Sequence, residues 1–418
     1  MFKLQRFLLG QRSLRAHGIR RCVIEVVRSL LLSAVALFMS PWVVLRHKRR
    51  PILLLVARNG HAKASFFIED HQTCARHLQA GTFGVVDPVF FSDDPPPVSP
   101  YLRTLLNRGI AIHQRRTISY YSILRYAPTS RGLSRVYLPI RRSDTPTTWL
   151  TFPIGVTLTP SERRHGRQIA INSTSIGQGR FVCWATAYIR EYARQDKMAR
   201  RSMASSQALA AHYAHVPNAT TYEAALTCLE PKGFHAIRVG HSSEDDYQLS
   251  QHRLPPSPHA ESGFFESWLY ANCEFMLAGA TGAWWIASTF GRPVIFSDAY
   301  ALTAVPAGID LLLTKLVWHT EERRLLTFPE MARLGHIPDD TNVRSGTLEI
   351  IDNSCDDIAE VCLEMTTRLT GAYVGDEDLQ ARFWRAIRQT GRPRESEWSP
   401  RARLGDAFLN RNRTLIGD

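Results

Sequence analysis

The sequence predicts an α/β protein with two Rossmann-like halves facing a cleft. Three observations predict it. Short apolar, β-rich runs alternate with segments of helical period. Glycine-containing turns follow the carboxyl ends of several of those runs. The chain's 418 residues, 44% hydrophobic and 21% charged, suffice for more than one buried core. The predicted divisions are a basic hydrophobic helix over 1–50, a first half over 51–175, a second over 176–310, and a helical extension over 311–418.

In the first half, Pro51–Ala57 reads as a buried parallel strand that runs into Arg58-Asn-Gly-His61, and a helix follows over 62–80. Gly84–Phe91 is the next strand, and the proline-rich Ser92–Pro97 is a loop. A helix over Tyr101–Asn107 and a strand over Gly109–His113 come next. Residues 125–165 are turn-rich, with strand-like pieces over Thr147–Thr159. His61 and Asp94 both stand at the carboxyl ends of strands, where α/β proteins bind ligands. His61 reads either as a base for an acceptor hydroxyl or as a loop histidine bonded to a carbonyl. Asp93 and Asp94 suit a base or sugar contact, and equally an ordinary turn before proline.

The second half alternates more cleanly. Strands are expected over Phe181–Ile189, Phe234–Val239, Phe275–Ala278 and Val294–Phe296. Helices are expected over Thr221–Glu230, Gly263–Asn272 and Ala283–Phe290. Gly279-Ala280-Thr281-Gly282 joins a strand to a helix, so backbone N–H groups and the Thr281 hydroxyl can approach a phosphate there. Arg190 and Arg238 end strands on the same expected edge, and a guanidinium fork suits a diphosphate. Gly240 follows Arg238. The plainer alternative for each arginine is an ion pair with an acid such as Glu191.

The net charge of +13 is concentrated at the start of the chain. Residues 1–50 hold 11 Lys/Arg and one acid, leaving 40 bases and 37 acids in the rest. A nearly neutral body argues against nucleic acid, and a basic segment around an apolar one favours an anionic membrane surface. Leu30–Leu45 carries no charge but is 16 residues long, whereas a spanning helix needs about 20. Three arrangements stay open: a helix lying in the membrane interface, a packing helix of the first half, and a spanning anchor. A cleaved signal peptide fits poorly, because the basic region is long and no small-residue cleavage site follows. The Arg46–Arg50 cluster places the globular part on the cytoplasmic side.

Seven scattered cysteines form no metal or disulfide pattern. His212 and His215 lie three apart on a predicted helix, without a third ligand, and Asp376-Glu-Asp378 opens a helix where acids suit the dipole. No metal cofactor is expected. The segments Cys355–Leu369 and Leu379–Thr390 read as amphipathic helices, and Arg392–Arg413 as a loosely held basic tail.

Several motifs resemble a bacterial glycosyltransferase family of the twin-Rossmann (GT-B) type associated with surface glycan assembly. Tyr188-Ile-Arg-Glu191 stands where that family has a His-Val-Arg-Asp-like strand end, and Ile237-Arg-Val-Gly240 where it has Ile-Arg-Met-Gly. Trp268–Phe275 followed by Gly279–Gly282 matches its stretch leading to a Thr-Gly turn. Arg58–His61, Tyr101–Arg108, Lys315–Trp318, Leu326–Phe328 and Ile358–Met365 fit in the same order. The resemblance covers most of residues 51–370. It implies transfer of a sugar from a nucleotide diphosphate to a hydroxyl, and with the basic N-terminal segment the expected acceptor is a glycan or lipid-linked hydroxyl at the membrane's cytoplasmic face. His61 or Asp94 would then supply the base. Arg190, also at the reacting centre, and Arg238 would hold the diphosphate, with Gly240, Gly279, Ala280, Thr281 and Gly282. Tyr188, Glu191 and Val239 depart from the family's His, Asp and Met. The competing readings are a sugar-nucleotide epimerase or hydrolase, and a non-catalytic scaffold for glycan assembly.

Overall fold

The computed structural model describes residues 27, 31, 34–35, 38, 41–42, 45, 52–56, 68, 71–72, 75, 87–92, 98–110, 112–114, 137–139, 156–173, 179–186, 218–240, 261–279, 281–299, 302, 309–335, 345–391 and 402–417. Over these residues it is a mixed α/β protein with two parallel sheets and a small antiparallel one.

The first sheet contains β1 (Ile52–Val56), β2 (Asp87–Ser92), β3 (Ile112–Gln114) and β4 (Tyr137–Pro139), in the order β3-β2-β1-β4. All its pairs are parallel. Pro88 is tolerated in this central strand because β3 pairs with β2 only from Phe90 onward, which spares the missing N–H. Helix α1 (Pro100–Asn107) has proline in its first turn and a Ser99 hydroxyl that accepts from the Leu102 N–H. Its Leu102, Leu105 and Leu106 are buried. Ile68, His71, Gln72 and Ala75 belong to the expected preceding helix and are also buried. His71 bonds the Ile110 carbonyl at 3.2 Å, and burial lowers its pKa to about 4, so the ring is neutral at pH 7.

Helix α2 (Pro160–Ser173) corrects the turn-rich reading of 125–165. Its start is a capping box: the Thr159 hydroxyl accepts from the Glu162 N–H, and Glu162 accepts from the Thr159 N–H at 2.8 Å. Few apolar residues mark it, because its buried surface is small and centres on Gly166 and Ala170.

The second sheet is built from β5 (Arg180–Ala185), β6 (Phe234–Arg238), β7 (Met276–Ala278), β8 (Val294–Ala299), β9 (Leu311–Thr314) and, from far along the chain, β13 (Arg403–Leu404). Its order is β13-β9-β8-β7-β5-β6, with every pair parallel. Helices α3 (Ala219–Leu226), α4 (Glu261–Asn272) and α5 (Ala283–Thr289) connect its strands. Strands β7 to β9 have almost no exposed surface, as expected of a sheet covered on both faces. Phe264, Phe265, Trp268 and Leu269 of α4 are all buried, as their helical spacing predicts. The thiols of Cys183, Cys273 and Cys362 are buried and unpaired as disulfides.

Residues 311–418 are not only helical. They supply β9 and β13, and a small sheet of β10 (Leu316–His319), β11 (Arg324–Leu325) and β12 (Leu348–Ile351), ordered β11-β10-β12. They also hold α6 (Phe328–Leu334), α7 (Cys355–Leu369), α8 (Glu377–Gln389) and α9 (Asp406–Arg411). The segment read as a loose tail is integrated over its described part. Leu404 pairs into the sheet, and Asp406, Phe408 and Leu409 are buried. Gln380 of α8 explains the docking: its side chain donates to the Leu404 carbonyl and accepts from the Leu404 N–H, standing in for a strand partner.

The two parallel sheets meet through helices. Tyr101 of α1 meets Phe264 of α4 edge-on at 4.9 Å. The Trp268 indole of α4 donates to the Arg163 carbonyl of α2 at 3.1 Å.

Candidate functional site

The strand order of the second sheet marks a candidate ligand edge. The chain leaves β5 for β6 on one side, then returns to β7 on the other. The connections diverge at the carboxyl ends of β5 and β7, the point where doubly wound sheets bind ligands. Thr186, just past β5, is buried there. The Gly279 N–H donates to the Ala185 carbonyl at 3.0 Å, which ties the start of the small-residue turn to β5.

Arg238 ends β6 and is 7% exposed. Its guanidinium carbon lies 5.1 Å from the centre of the Trp184 ring, a cation–π arrangement that lays the side chain toward β5. Trp184 in turn stacks on Tyr222 at 6.2 Å. Arg238 and Leu277 are both in register with Trp184, on opposite sides. Two strand spacings separate them, roughly 10 Å. Arg238 therefore stands across β5 from the turn that begins at Gly279.

Gly240 has φ +104, a backbone region that favours glycine, and its N–H donates to Glu266 of α4 at 2.9 Å. That amide is thus engaged within the fold. In the turn, the Thr281 N–H donates to the Gly279 carbonyl at 2.6 Å, and the Thr281 hydroxyl accepts from the Ala283 N–H at 3.4 Å. Gly282 precedes α5 with φ −79, so smallness rather than torsional freedom is what it contributes. The structure brings Arg238, Gly279, Thr281 and Gly282 to one edge. His61, Asp94, Arg190 and Ala280 lie outside the described residues, as do Asp93, Tyr188, Glu191, His212 and His215.

A second constellation on this edge was not foreseen. Asp298, near the end of β8, is 1% exposed and has φ +55. It accepts from the Tyr222 hydroxyl at 2.7 Å and from the Asn353 N–H at 2.9 Å. Its own N–H donates to the Asn353 side-chain oxygen at 2.7 Å. The Lys315 ammonium, fully buried after β9, lies 3.8 Å from Asp298 and bonds Asp352. Burial raises the Asp298 pKa, opposed by Lys315 and by the Asn353 and Tyr222 hydrogen bonds. The Tyr222 hydroxyl also meets Ser297, whose hydroxyl donates to the Ala278 carbonyl at 3.4 Å. The network therefore ends at the residue before the Gly279 turn. Asp298 and Lys315 each follow an apolar strand run, which was the available signal. Tyr222 and Asn353 carry none, being 76 and 55 residues from Asp298.

Among the described residues, no three His, Cys, Asp or Glu side chains converge to hold a metal ion, and no helix is long and apolar enough to cross a membrane.

No family model matches the chain, and no curated protein does. Among solved structures it is similar to E. coli ADP-heptose LPS heptosyltransferase II, at 14% identity over 59% of this chain and 84% of that one, with a TM-score of 0.34. It is similar to an E. coli heptosyltransferase bound to ADP-2-deoxy-2-fluoro heptose, at 8% identity over 71% and 99%, TM-score 0.30. A UDP-N-acetylglucosamine 2-epimerase is matched at 10% identity over 76% and 81%, TM-score 0.21. At scores this low the likeness assigns neither residues nor an activity to this chain.

Proposed function

We propose that the chain is a glycosyltransferase that moves a sugar from a nucleotide-diphosphate donor to a hydroxyl of a glycan or lipid-linked acceptor. The observation that carries this reading is the buried Arg238 facing the Gly279–Gly282 turn across β5, at the switch point of a doubly wound sheet. The family resemblance of the sequence motifs supports it. In this reading Arg238 and Arg190 hold the departing diphosphate, with the Thr281 hydroxyl and the Gly282 N–H beside it. Fixed donors of this kind stabilise leaving-group charge as it develops, and the reading requires no metal. His61 or Asp94, from the first half, takes the proton of the acceptor hydroxyl.

The same reading places the enzyme at the cytoplasmic face of a membrane, in surface glycan assembly. Val27, Leu31, Val35, Phe38, Trp42 and Leu45 are helical residues at three- and four-residue spacing, and all are exposed. An apolar helix face bracketed in sequence by basic residues suits an anionic bilayer surface.

A panel of nucleoside diphosphates, titrated calorimetrically, tests the donor site. Arg238→Ala is expected to weaken binding by about 10- to 100-fold, the usual weight of a charge-assisted contact to phosphate. Its melting temperature and circular dichroism check the fold. Unchanged affinity in a folded Arg238→Ala variant refutes the assignment. Release of an epimerised or free sugar without any acceptor refutes transfer as the activity.

A further inference from the structure

Helices α6 and α8 pack through Phe328 and Phe383, whose rings meet edge-on at 5.1 Å. Phe383, Trp384 and Ile387 bury one face of α8. The opposite side carries Arg382, Arg385 and Gln389, which fall within one arc of the helix. Arg333 of α6 joins them, and the turn ending at Gly417 closes one side. Together they line a groove of about 500 Å³.

Among the described residues, the charge in this groove is unbalanced. Arg324, Arg368, Arg403 and Arg411, in the same C-terminal layer, are each held by a carboxylate. Arg333, Arg382 and Arg385 make no ion pair among the described residues. The one acid among the described lining residues, Glu330, is already engaged: Arg324 grips both its oxygens at 2.8 and 2.9 Å, and Thr327 donates to it. Three guanidinium groups in one concavity repel one another and raise the local potential. An anion with several oxygens relieves that repulsion and accepts from more than one planar fork at once, which a chloride ion does not.

We propose that the groove between α6 and α8 is a binding site for a phosphate or pyrophosphate group, separate from the carboxyl-edge site and held by Arg333, Arg382 and Arg385. Two sources present this chemistry: a soluble phosphorylated molecule and a phospholipid or lipid-pyrophosphate headgroup.

The test titrates the full chain with inorganic pyrophosphate at constant ionic strength, in the Arg238→Ala background, which weakens the carboxyl-edge site so that a response lost in the groove variants belongs to the groove. The site predicts saturable binding that weakens at least about tenfold in Arg382→Ala/Arg385→Ala, with the melting temperature unchanged. Arg333→Ala serves as an independent variant on the other helix, and Arg382→Lys/Arg385→Lys should recover part of the affinity. Absence of saturable binding in the parent overturns the proposal, as does equal affinity in parent and double variant. Co-sedimentation with phosphatidylglycerol vesicles separates the sources. A drop in the double variant identifies a headgroup, and unchanged sedimentation with lost pyrophosphate binding identifies a soluble ligand. Because Arg238 is absent throughout, failure of the glycosyltransferase reading leaves this outcome unaffected.

Discussion

Replacing Asp298 tests the physical account of the second sheet's carboxyl edge most directly. In Asp298→Ala, the Asn353 N–H loses its acceptor, Tyr222 keeps only Ser297, and the buried Lys315 keeps Asp352 but loses its second carboxylate. A pair 3.8 Å apart attracts by roughly 4 kcal/mol at an effective dielectric constant of about 20. The desolvation that raises the Asp298 pKa offsets part of this. Orphaning a buried donor costs about 1–3 kcal/mol. The net expectation is about 3–5 kcal/mol, as for other buried pairs broken from one side. Backbone strain adds a discriminating comparison. At φ +55, alanine carries a penalty of about 1–2 kcal/mol that glycine avoids. Asp298→Gly should therefore be less damaging than Asp298→Ala, although both delete the carboxylate. Asp298→Asn should be the mildest, at about 1–2 kcal/mol, since it keeps an acceptor for the Asn353 N–H and tolerates the left-handed region. Urea unfolding followed by tryptophan fluorescence measures the series. A loss under about 0.5 kcal/mol in Asp298→Ala, or an alanine variant more stable than the glycine one, would refute the reasoning.

Other perturbations probe separate links. A Cβ at Gly166 would stand 2.1 Å from Trp268 Cδ1. Trp268 is stacked on Phe181 and Phe265 and has little room to move. Gly166→Ala should therefore lower the melting temperature despite a helix-propensity gain of about 1 kcal/mol; a rise would mean that the α2–α4 contact is loose. Arg324 lowers the Glu330 pKa from 4.5 to about 2. A depressed folded-state pKa means stability present above pH 4.5 and lost as pH falls through 4.5 toward about 2. The melting-temperature gap between the parent and Glu330→Gln should close across that window, and a gap constant from pH 7 to 2.5 would exclude the pairing. Deleting residues 1–50, or Phe38→Asp with Leu31→Asp, should weaken co-sedimentation with anionic vesicles. Sedimentation of the deletion equal to that of the full chain would refute the interfacial helix.

Local patterns were legible where segments are long and periodic. Cys355–Leu369 is the helix its sequence predicts, with a Ser354–Asp357 capping box at its start. The strands at Phe234 and Met276 and the helix ending at Asn272 lie within a few residues of expectation. Arg238 and the Gly279 turn were legible as strand-end groups, because apolar runs show where strands stop. Helix α2 was missed although Thr159-Pro-Ser-Glu162 is a capping box, because too few apolar residues follow to set a period. Strand β13 was missed because two residues carry no periodicity at all.

By itself, the sequence determined the α/β class, the alternation of strands and helices in the second half, and which residues stand at strand ends. Those properties depend on neighbours a few residues apart. Only the tertiary structure decided that β13 joins a sheet begun more than 200 residues earlier, that Arg238 lies over Trp184 across from the Gly279 turn, and that Glu266 engages the Gly240 amide. It also gathered Asp298, Lys315, Tyr222 and Asn353 on one edge. The reason is burial: each partner's polar group loses water only when the sheets and helices close around it, so its need for a specific partner arises from the packing and leaves no local mark in the sequence.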